Sequence, residues 1–380
     1  MKQLRMLLKK GKQVNIMFKT ATNLQLSLGH NLYHVMILIL CIFCTSSIYG
    51  DYQVTDLGGN YVYGMGINNN NVVVGYIKPS GNIQNAYAFK WTKDTGVQSI
   101  GGYIAYSIND NGVIAGENMI IKGYDNYYYG AIWENGVMTT FTDRQDVRSI
   151  NNNGQCTGLI SAQPYIPGPY RPYRDDDIHT PGFITLVNPN PTQWVGQGMD
   201  LNNKGEVVAS FGRDGVFYNS DGSYTILNDR GSYSYPYSIN DNGQIVGRSM
   251  QPHSDISTLR AVYWGSPSNN MIYMGRLGSG YGYARSINNQ GIAVGYDSGK
   301  AFVWSLQMGM KDLNTLIDPD LGITLTNAMS INDNGNILAW GTNSLNEEHT
   351  YLLVVPEPST MFLILIGISI IRAKHRKTSI

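Results

Sequence analysis

The chain is poor in cysteine and in charge, and each shortage excludes a class of protein. Only three of its 380 residues are cysteines, and Cys41 and Cys44 lie in one apolar segment near the N-terminus. Cys156 is left alone in the body, so a disulfide framework is not expected. Charged residues make up 14% of the chain, and acidic residues outnumber basic ones between residues 51 and 354. We therefore expect no nucleic-acid partner, because such a surface needs clustered positive charge.

Familiar catalytic and metal-binding motifs are also missing. The sequence has no Gly-x-Ser-x-Gly elbow, phosphate-binding loop or paired cysteines, and His179, His253 and His349 lack metal or triad spacing. We predict no catalytic residues, no metal and no cofactor, which favours a binding protein over an enzyme. A polysaccharide-active hydrolase or lyase is the alternative, since its two carboxyl groups could come from distant parts of the chain.

What the sequence does contain is a repeat of the form x-Ile-Asn-x-x-Gly-x-Val-x-Gly. Its Ile/Leu position recurs seven times, at Ile67, Ile108, Ile150, Leu201, Ile239, Ile287 and Ile331. The mean spacing of about 44 residues is typical of a four-stranded propeller blade. The sequence therefore predicts an all-β fold, a seven-bladed β-propeller of four-stranded blades over residues 51–354.

Each repeat can be divided into strands. The Ile ends a first strand, an Asn/Asp/Gly turn follows, and the Val-x-Gly segment forms the second strand. A third strand carries an aromatic segment such as Ala88-Phe89-Lys90-Trp91, and a fourth strand closes the unit. Tryptophans recur at one position of the third strand and are predicted to pack between blades: Trp91, Trp133, Trp264 and Trp304.

The seventh repeat lacks a fourth strand of its own. Residues 350–354 supply its third strand, and the chain then continues into a proline-containing segment. Residues 52–57 resemble the fourth strands of other repeats, notably residues 97–102. We predict that they pair with residues 350–354, because this pairing closes the ring and removes an exposed sheet edge.

From residue 60 to residue 354 the chain resembles the extracellular repeats of the HAF family, named for a His-Ala-Phe triplet in the third strand. The Ile-Asn-x-x-Gly turn carries the resemblance most specifically. Tyr87-Ala88-Phe89 and Lys300-Ala301-Phe302 keep Ala-Phe and lack the histidine. The resemblance implies a propeller fold and export, and it does not imply an activity.

Residues 1–50 are predicted to be an export signal. An apolar run at residues 35–44 follows a basic region and precedes the small residues Thr45, Ser46 and Ser47. Cleavage is expected near residues 47–50. Two alternatives remain open, namely translation from Met17 and an uncleaved anchor.

Residues 355–380 resemble a PEP-CTERM sorting tail. Pro356-Glu357-Pro358 is followed by an apolar run at residues 361–371 and by a basic end at residues 372–377. The resemblance implies an exosortase-type sorting enzyme as partner, with cleavage near Pro-Glu-Pro. It also implies transient inner-membrane anchoring of a protein bound for the cell envelope or the extracellular space. The apolar run is shorter than the roughly twenty residues that span a bilayer, and the basic end would stay cytoplasmic.

Acidic residues in two places raise the question of a metal site. Asp110, Asp241 and Asp333 lie in the Asn-rich turns, but each turn has at most one acid, whereas a calcium loop gathers several. We therefore attribute them to turn geometry. The run Asp175-Asp176-Asp177 with His179 lies in a proline-rich insertion and is interpreted as a solvated surface loop, with a metal or sugar contact as the alternative.

Tyrosine is abundant in the segments predicted to form loops. The Asn-rich turns should lie on one face of the propeller, and the longer second-to-third and fourth-to-first strand connections on the other. These connections hold the tyrosines that we predict to bind a carbohydrate or protein ligand: Tyr127, Tyr129, Tyr170, Tyr173, Tyr235 and Tyr281. The alternative is that the tyrosines pack only against their own loops.

Processing at both ends is the first testable prediction. The exported product should run from about residue 50 to about residue 356, and intact-mass analysis of envelope and medium fractions measures this directly. Exported material that still carries residues 372–380 throughout would contradict the sorting interpretation.

Overall fold

The computed structural model describes residues 52–356, apart from residues 60, 82, 123–124, 162–169, 181, 190–194, 228–232 and 251–258. They belong to one compact unit, Asp51–Pro356. The predicted export signal at residues 1–50 lies outside the described residues, as does the predicted tail from Glu357 and Pro358 onward. Within the described part of the chain, no helix has the length and apolar character needed to cross a membrane.

Seven four-stranded antiparallel sheets make up the described chain, as the repeat predicts. Blade 1 contains β2 (Val62–Ile67), β3 (Val73–Ile77), β4 (Tyr87–Thr92) and β5 (Gly96–Ser99), and blade 2 contains β6 (Ile104–Ile108), β7 (Ile114–Lys122), β8 (Asp125–Glu134) and β9 (Val137–Phe141). Blade 3 contains β10 (Asp146–Ile150), β11 (Cys156–Ser161), β12 (Tyr170–Asp175) and β13 (Ile184–Thr185), and blade 4 contains β14 (Gly196–Leu201), β15 (Val207–Phe211), β16 (Asp214–Tyr218) and β17 (Tyr224–Ile226).

The remaining blades follow the same order. Blade 5 contains β18 (Ser234–Ile239), β19 (Ile245–Ser249), β20 (Arg260–Trp264) and β21 (Ile272–Tyr273), and blade 6 contains β22 (Gly282–Ile287), β23 (Ala293–Asp297), β24 (Lys300–Ser305) and β25 (Gly309–Asp312). Blade 7 contains β26 (Thr324–Ile331), β27 (Ile337–Thr342), β28 (Glu348–Val354) and, from the other end of the chain, β1 (Gln53–Asp56). Single 3-10 turns occur at Pro79–Gly81, Ile83–Asn85, Leu313–Thr315 and Pro319–Leu321.

The ring closes through β1, which confirms the predicted pairing of the first segment with the last blade. Gln53 lies opposite Val354, and Asp56 lies opposite Tyr351, in an antiparallel register. The edge of β28 is thereby covered. The Asp56 carboxylate lies 2.7 Å from Nδ1 of His349, which adds a polar contact between the two strands.

The first strand of each blade lines the propeller axis. It lies at one edge of its sheet and contacts the first strands of both neighbouring blades around the whole ring. Every first strand has a β-bulge two residues before the repeated Ile/Leu. A bulge re-aims the side chain that it carries. The bulge residues are Met65, Tyr106, Arg148, Met199, Tyr237, Arg285 and Met329.

The β-bulge in the first strand explains why the Val-x-Gly segment of the second strand ends in glycine in most repeats. A Cβ on Gly75 would collide with the backbone oxygen of Tyr63 on the bulged strand, and a Cβ on Gly295 would collide with that of Tyr283. Only a residue without a side chain permits this approach of two backbones. The third-strand tryptophans are buried as predicted, with Trp264 fully inaccessible.

The turn between the first and second strands is held by its leading asparagine. In blade 2, Oδ1 of Asn109 accepts from the backbone N–H of Val113 at 2.9 Å. Gly112 follows with φ 84°, and Asn71 takes the equivalent position in blade 1 with φ 59°. Glycine adopts positive φ without steric cost, and asparagine tolerates it better than most residues do, which explains both residue types at this position.

The same asparagine also links each blade to the next. Its Nδ2 donates to the backbone oxygen of the leading asparagine in the following blade, and the bonds form a closed ring around the axis. They run from Asn68 to Asn109 (3.0 Å), Asn109 to Asn151 (2.9 Å), Asn151 to Asn202 (2.8 Å), Asn202 to Asn240 (3.0 Å), Asn240 to Asn288 (2.9 Å), Asn288 to Asn332 (3.0 Å) and Asn332 to Asn68 (2.9 Å).

A second closed ring uses the next residue of each turn. Its backbone N–H donates to Oδ1 of the equivalent residue in the following blade, at 2.8–2.9 Å throughout. The ring members are Asn69, Asp110, Asn152, Asn203, Asp241, Asn289 and Asp333. Each aspartate stands between two asparagines that donate to its Oδ2. The three acids are never adjacent, so like charges are kept apart.

The first ring predicts that two asparagines of one turn differ in their effect on stability. Asn109→Ala removes the bond to the next blade and the acceptor for Val113, so we expect the free energy of unfolding to fall by about 2–4 kcal/mol. Asn111→Ala removes only an exposed bond to the oxygen of Asn152, and its expected loss is below about 1 kcal/mol. Urea denaturation measures both, and equal losses would contradict a structural role for the ring.

Candidate functional site

The axial channel has two chemically different ends. At the end formed by the Asn-rich turns, a cavity of about 200 Å³ is lined by residues of all seven turns. Their Asn and Asp side chains bond to neighbouring blades, as described above. Asp200, which replaces the serine of other repeats, accepts from Oγ of Ser149 (2.6 Å) and from the N–H of Ile239 (3.0 Å). These polar groups hold the ring together, so we assign no ligand to this end.

The other end carries the tyrosines that the sequence suggested. Tyr281 is 47% exposed, and Tyr127, Tyr170 and Tyr235 are half-buried. Tyr129 is buried. The six predicted residues therefore differ in their access to a ligand.

Tyr173 does not belong to the candidate face, which corrects its assignment. It is fully buried, and its hydroxyl donates to the backbone oxygen of Asp146 at 3.1 Å. Residues 170–175 of the segment predicted to be a proline-rich loop form strand β12, in which Tyr173 lies opposite Gly158. A Cβ on Gly158 would collide with the backbone oxygen of Asp146 on the bulged strand, so this position also requires glycine. Burial raises the pKa of Tyr173 well above its ordinary value.

The connection between the second and third strands of blade 2 also differs from the predicted loop. Residues 117–122 and 125–130 extend β7 and β8 as a long hairpin, with Tyr127 opposite Ile120 and Tyr129 opposite Asn118. Lys122 Nζ lies 5.4 Å from the ring centroid of Tyr127. Isoleucine and tyrosine favour strand conformation, and the segment contains Ile120, Ile121 and Tyr127 to Tyr129.

Blades 5 and 6 bring six tyrosines together, and we call this group the tyrosine cluster. Its members are Tyr233, Tyr235, Tyr237, Tyr281, Tyr283 and Tyr296. The ring centroids of Tyr233 and Tyr235 are 6.2 Å apart and stacked, those of Tyr283 and Tyr296 are 5.3 Å apart and stacked, and Tyr237 meets Tyr283 edge-on at 6.0 Å. Tyr281 leans on Tyr296 at 5.0 Å. The cluster thus consists of one stacked pair and one group of four rings in mutual contact, and Arg248 lies near a ring of each, Tyr235 and Tyr237.

Sequence reasoning missed four of the six cluster members, because Tyr233, Tyr237, Tyr283 and Tyr296 were not among the predicted binding residues. Tyr237 occupies the bulge position, and Tyr296 directly follows the glycine of its second strand. Both positions can be found by aligning the seven repeats and comparing one column at a time. Both tyrosines lie on strands, and a strand position alone does not show whether a side chain faces a ligand.

A smaller aromatic group lies around blades 7, 1 and 2. Tyr63 stacks on Tyr76 at 5.1 Å and meets Trp340 edge-on at 5.4 Å. Tyr103 and Tyr128 are 5.4 Å apart. Tyr63 also donates its hydroxyl to Oε2 of Glu348 at 2.6 Å, so this group is more tightly bound to its own blades.

The half-buried Glu117 of blade 2 and the buried Asp146 of blade 3 both lie near Arg148. Tyr106 donates to Oε2 of Glu117 at 2.6 Å, and Arg148 donates from Nε to Oδ2 of Asp146 at 2.8 Å. The Arg148 guanidinium lies 4.2 Å from the Tyr106 ring centroid. Burial, together with the nearby charge of Asp146, raises the pKa of Glu117 to about 7 against the opposing effects of Tyr106 and Arg148. Sequence spacing did not reveal this pair.

The acidic insertion of blade 3 is largely occupied by internal contacts. Asp175 is buried and lies 2.6 Å from Nη1 of Arg144, and Asp176 receives a bond from Arg174 at 2.7 Å. The interpretation as a solvated loop is therefore wrong for Asp175. No group of three or more His, Cys, Asp or Glu residues suited to a metal occurs within the described ranges.

Comparison with known proteins adds little beyond the fold. No protein-family model and no curated protein matches the chain. The WD40 β-propeller domain of Doa1 is similar over 80% of this chain and 96% of its own, with 11% identity and a TM-score of 0.41. A soluble aldose sugar dehydrogenase from Escherichia coli is similar over 80% of this chain and 99% of its own, with 11% identity and a TM-score of 0.35. With such scores, neither carries an argument about function.

The raised pKa of Glu117 predicts a pH-dependent stability. The folded chain holds this proton more tightly than the unfolded chain, whose carboxyl titrates near 4.5. Its contribution to the free energy of unfolding is therefore full below pH 4.5 and is lost as pH rises through about 7. Between about pH 5 and pH 8 we expect the wild type to lose about 2 kcal/mol relative to Glu117→Gln.

Denaturant titrations at the two pH values measure this difference. Glu348→Gln is the matched control, because it removes a carboxylate that also accepts from a tyrosine hydroxyl but lies exposed on β28. Parallel pH profiles for the wild type and Glu117→Gln would refute the assignment.

Proposed function

We propose that this chain is an exported, noncatalytic β-propeller of the cell envelope or extracellular matrix that binds carbohydrate or protein through its tyrosine-bearing face. The observation that carries the proposal is the tyrosine cluster, which gathers aromatic side chains from two blades beside the axial channel. The opposite end of the channel has its polar groups bonded within the ring. A ligand therefore has one suitable end to approach.

The chemistry of tyrosine supports this assignment. A tyrosine ring offers a flat apolar surface for a sugar ring or an apolar side chain, and its hydroxyl can bond to a ligand at the edge. Because the side chain has few rotatable bonds, little conformational entropy is lost on binding. The cluster residues lie on strands or at strand ends, which keeps their rings in a defined arrangement before the ligand arrives.

The export part of the proposal is based on the two chain ends. The basic and apolar N-terminal segment favours secretion, and the Pro356-Glu357-Pro358 segment resembles a site for an exosortase-type enzyme. Pro356 follows the last residue of β28 by two positions. Cleavage at this motif would leave the seventh blade intact while removing the apolar tail that serves as a transient anchor.

One observation favours the alternative of a polysaccharide-active hydrolase or lyase. Glu117, with a pKa of about 7, is suited to accept or donate a proton near neutral pH. Its neighbour Asp146 is only 4% exposed and is bonded to Arg148 and Gln197, which leaves it poorly placed to meet a substrate. Depolymerisation of a polysaccharide that is abolished by Glu117→Gln would favour the enzyme over the binding protein.

Binding to purified, immobilised polysaccharides tests the main proposal. Tyr281→Ala and Tyr235→Ala should each weaken binding by about tenfold, as expected for the loss of one aromatic contact. Tyr224→Ala is the matched control, because Tyr224 is 44% exposed on the fourth strand of blade 4, away from the cluster. If the control variant loses as much affinity as the other two, the binding face has been wrongly assigned.

A further inference from the structure

Three arginines come close to the propeller axis on the tyrosine-bearing side, and they are not equally neutralised. Arg148 and Arg285 occupy bulge positions of blades 3 and 6, and Arg248 lies on β19 of blade 5 opposite Tyr235. Arg148 has a carboxylate partner in Asp146 at 2.8 Å. Arg248 and Arg285 have no ion pair with any described residue.

Tyrosine rings are the neighbours of these two unpaired guanidinium groups. Arg248 lies 4.9 Å from the ring centroid of Tyr235 and 5.6 Å from that of Tyr237, and Arg285 also lies 5.6 Å from Tyr237. The two cations thus share one aromatic ring. Nε of Arg248 is buried without a hydrogen-bond partner in the described part of the chain, so part of its donor capacity is unused.

Positive charge is consequently concentrated in this part of the channel. Burial lowers the pKa of Arg285, as do the charges of Arg148 and Arg248, although the nearby tyrosines oppose the shift. An arginine stays protonated in proteins, so the repulsion persists. A half-buried charge without an ionic partner is destabilising, whereas an anion bound between the two groups would offset that cost.

We propose that Arg248 and Arg285 bind the carboxylate of a uronic-acid residue, so that the ligand of the tyrosine-bearing face is an acidic oligosaccharide. The inference rests on the proposed function and narrows its ligand class. A planar guanidinium matches a carboxylate through two parallel hydrogen bonds. The tyrosines around the pair supply flat surfaces for the sugar rings that carry the carboxylates, which favours an acidic glycan over an acidic peptide.

Calorimetric titration of the full chain with a short oligogalacturonate tests the proposal. Its methyl ester is the matched neutral probe, because esterification removes the charge and keeps the sugar. We expect the ester to bind about tenfold more weakly or worse, and we expect the acid to lose affinity as salt is raised. Equal affinity for the acid and the ester would overturn the proposal without any variant.

Arg248→Gln and Arg285→Gln should each reduce oligogalacturonate affinity by about tenfold. Lys311→Gln is the control, because Lys311 is an exposed cation on β25, the fourth strand of blade 6, and does not belong to the tyrosine cluster. It should retain wild-type affinity. A loss in the control equal to that in the other two would overturn the assignment, and thermal melting identifies any variant that fails to fold.

The remaining outcomes separate this inference from the proposed function. Binding of a polyglutamate peptide in preference to oligogalacturonate would overturn the glycan assignment. Binding of neutral oligosaccharides that is lost in Tyr281→Ala and kept in both arginine variants would overturn this inference and leave the proposed function standing. Failure of every saccharide, neutral or acidic, would reject carbohydrate binding altogether.

Discussion

Hydrogen bonds from asparagine side chains to the neighbouring blade are the interaction on which the rest of the structure depends. A propeller blade is a complete sheet, so its first strand has no backbone ladder with the next blade. The turn carbonyls would then be buried without a partner, at a cost of about 1–3 kcal/mol each. Asn68 and its six equivalents supply the missing donors and also hold their own turns through Oδ1. One residue type thereby serves local turn geometry and assembly of the ring.

Because the Asn-rich turns hold the blades together, they limit where on the propeller a ligand can bind. The Asn-rich end of the channel is committed to structure, and its three aspartates are held apart by intervening asparagines. The bulge position varies in residue type from blade to blade, and some of its side chains contact the neighbouring blade, as Arg148 contacts Tyr106 and Arg285 contacts Tyr237. It holds Met65 in one blade, Tyr237 in another and Arg285 in a third. The seven Asn-rich turns are nearly alike, so the blades differ chemically from one another mainly at the bulge positions.

Electrostatics distinguish the two sides of this channel. Near blades 2 and 3, Arg148 is compensated by Asp146, and Glu117 is bonded to Tyr106. Near blades 5 and 6, Arg248 and Arg285 are met only by aromatic rings among the described residues. A ring face attracts a cation more weakly than a carboxylate does when the site is desolvated. The asymmetry is what makes blades 5 and 6 the better place for an anionic ligand.

The sequence alone determined the number of blades, the strand order, the buried tryptophans and the closure by residues 52–57, because each depends on a pattern repeated along the chain. It also placed Tyr235 and Tyr281 near the same end of the channel. It could not show that Tyr173 is buried opposite Gly158, or that the leading asparagines bond between blades. Nor could it bring Glu117 to Asp146, or Arg248 and Arg285 to one tyrosine ring. Only the tertiary structure decided these contacts, because they depend on which side chains of different blades face the same space, and distance along the chain carries no information about that.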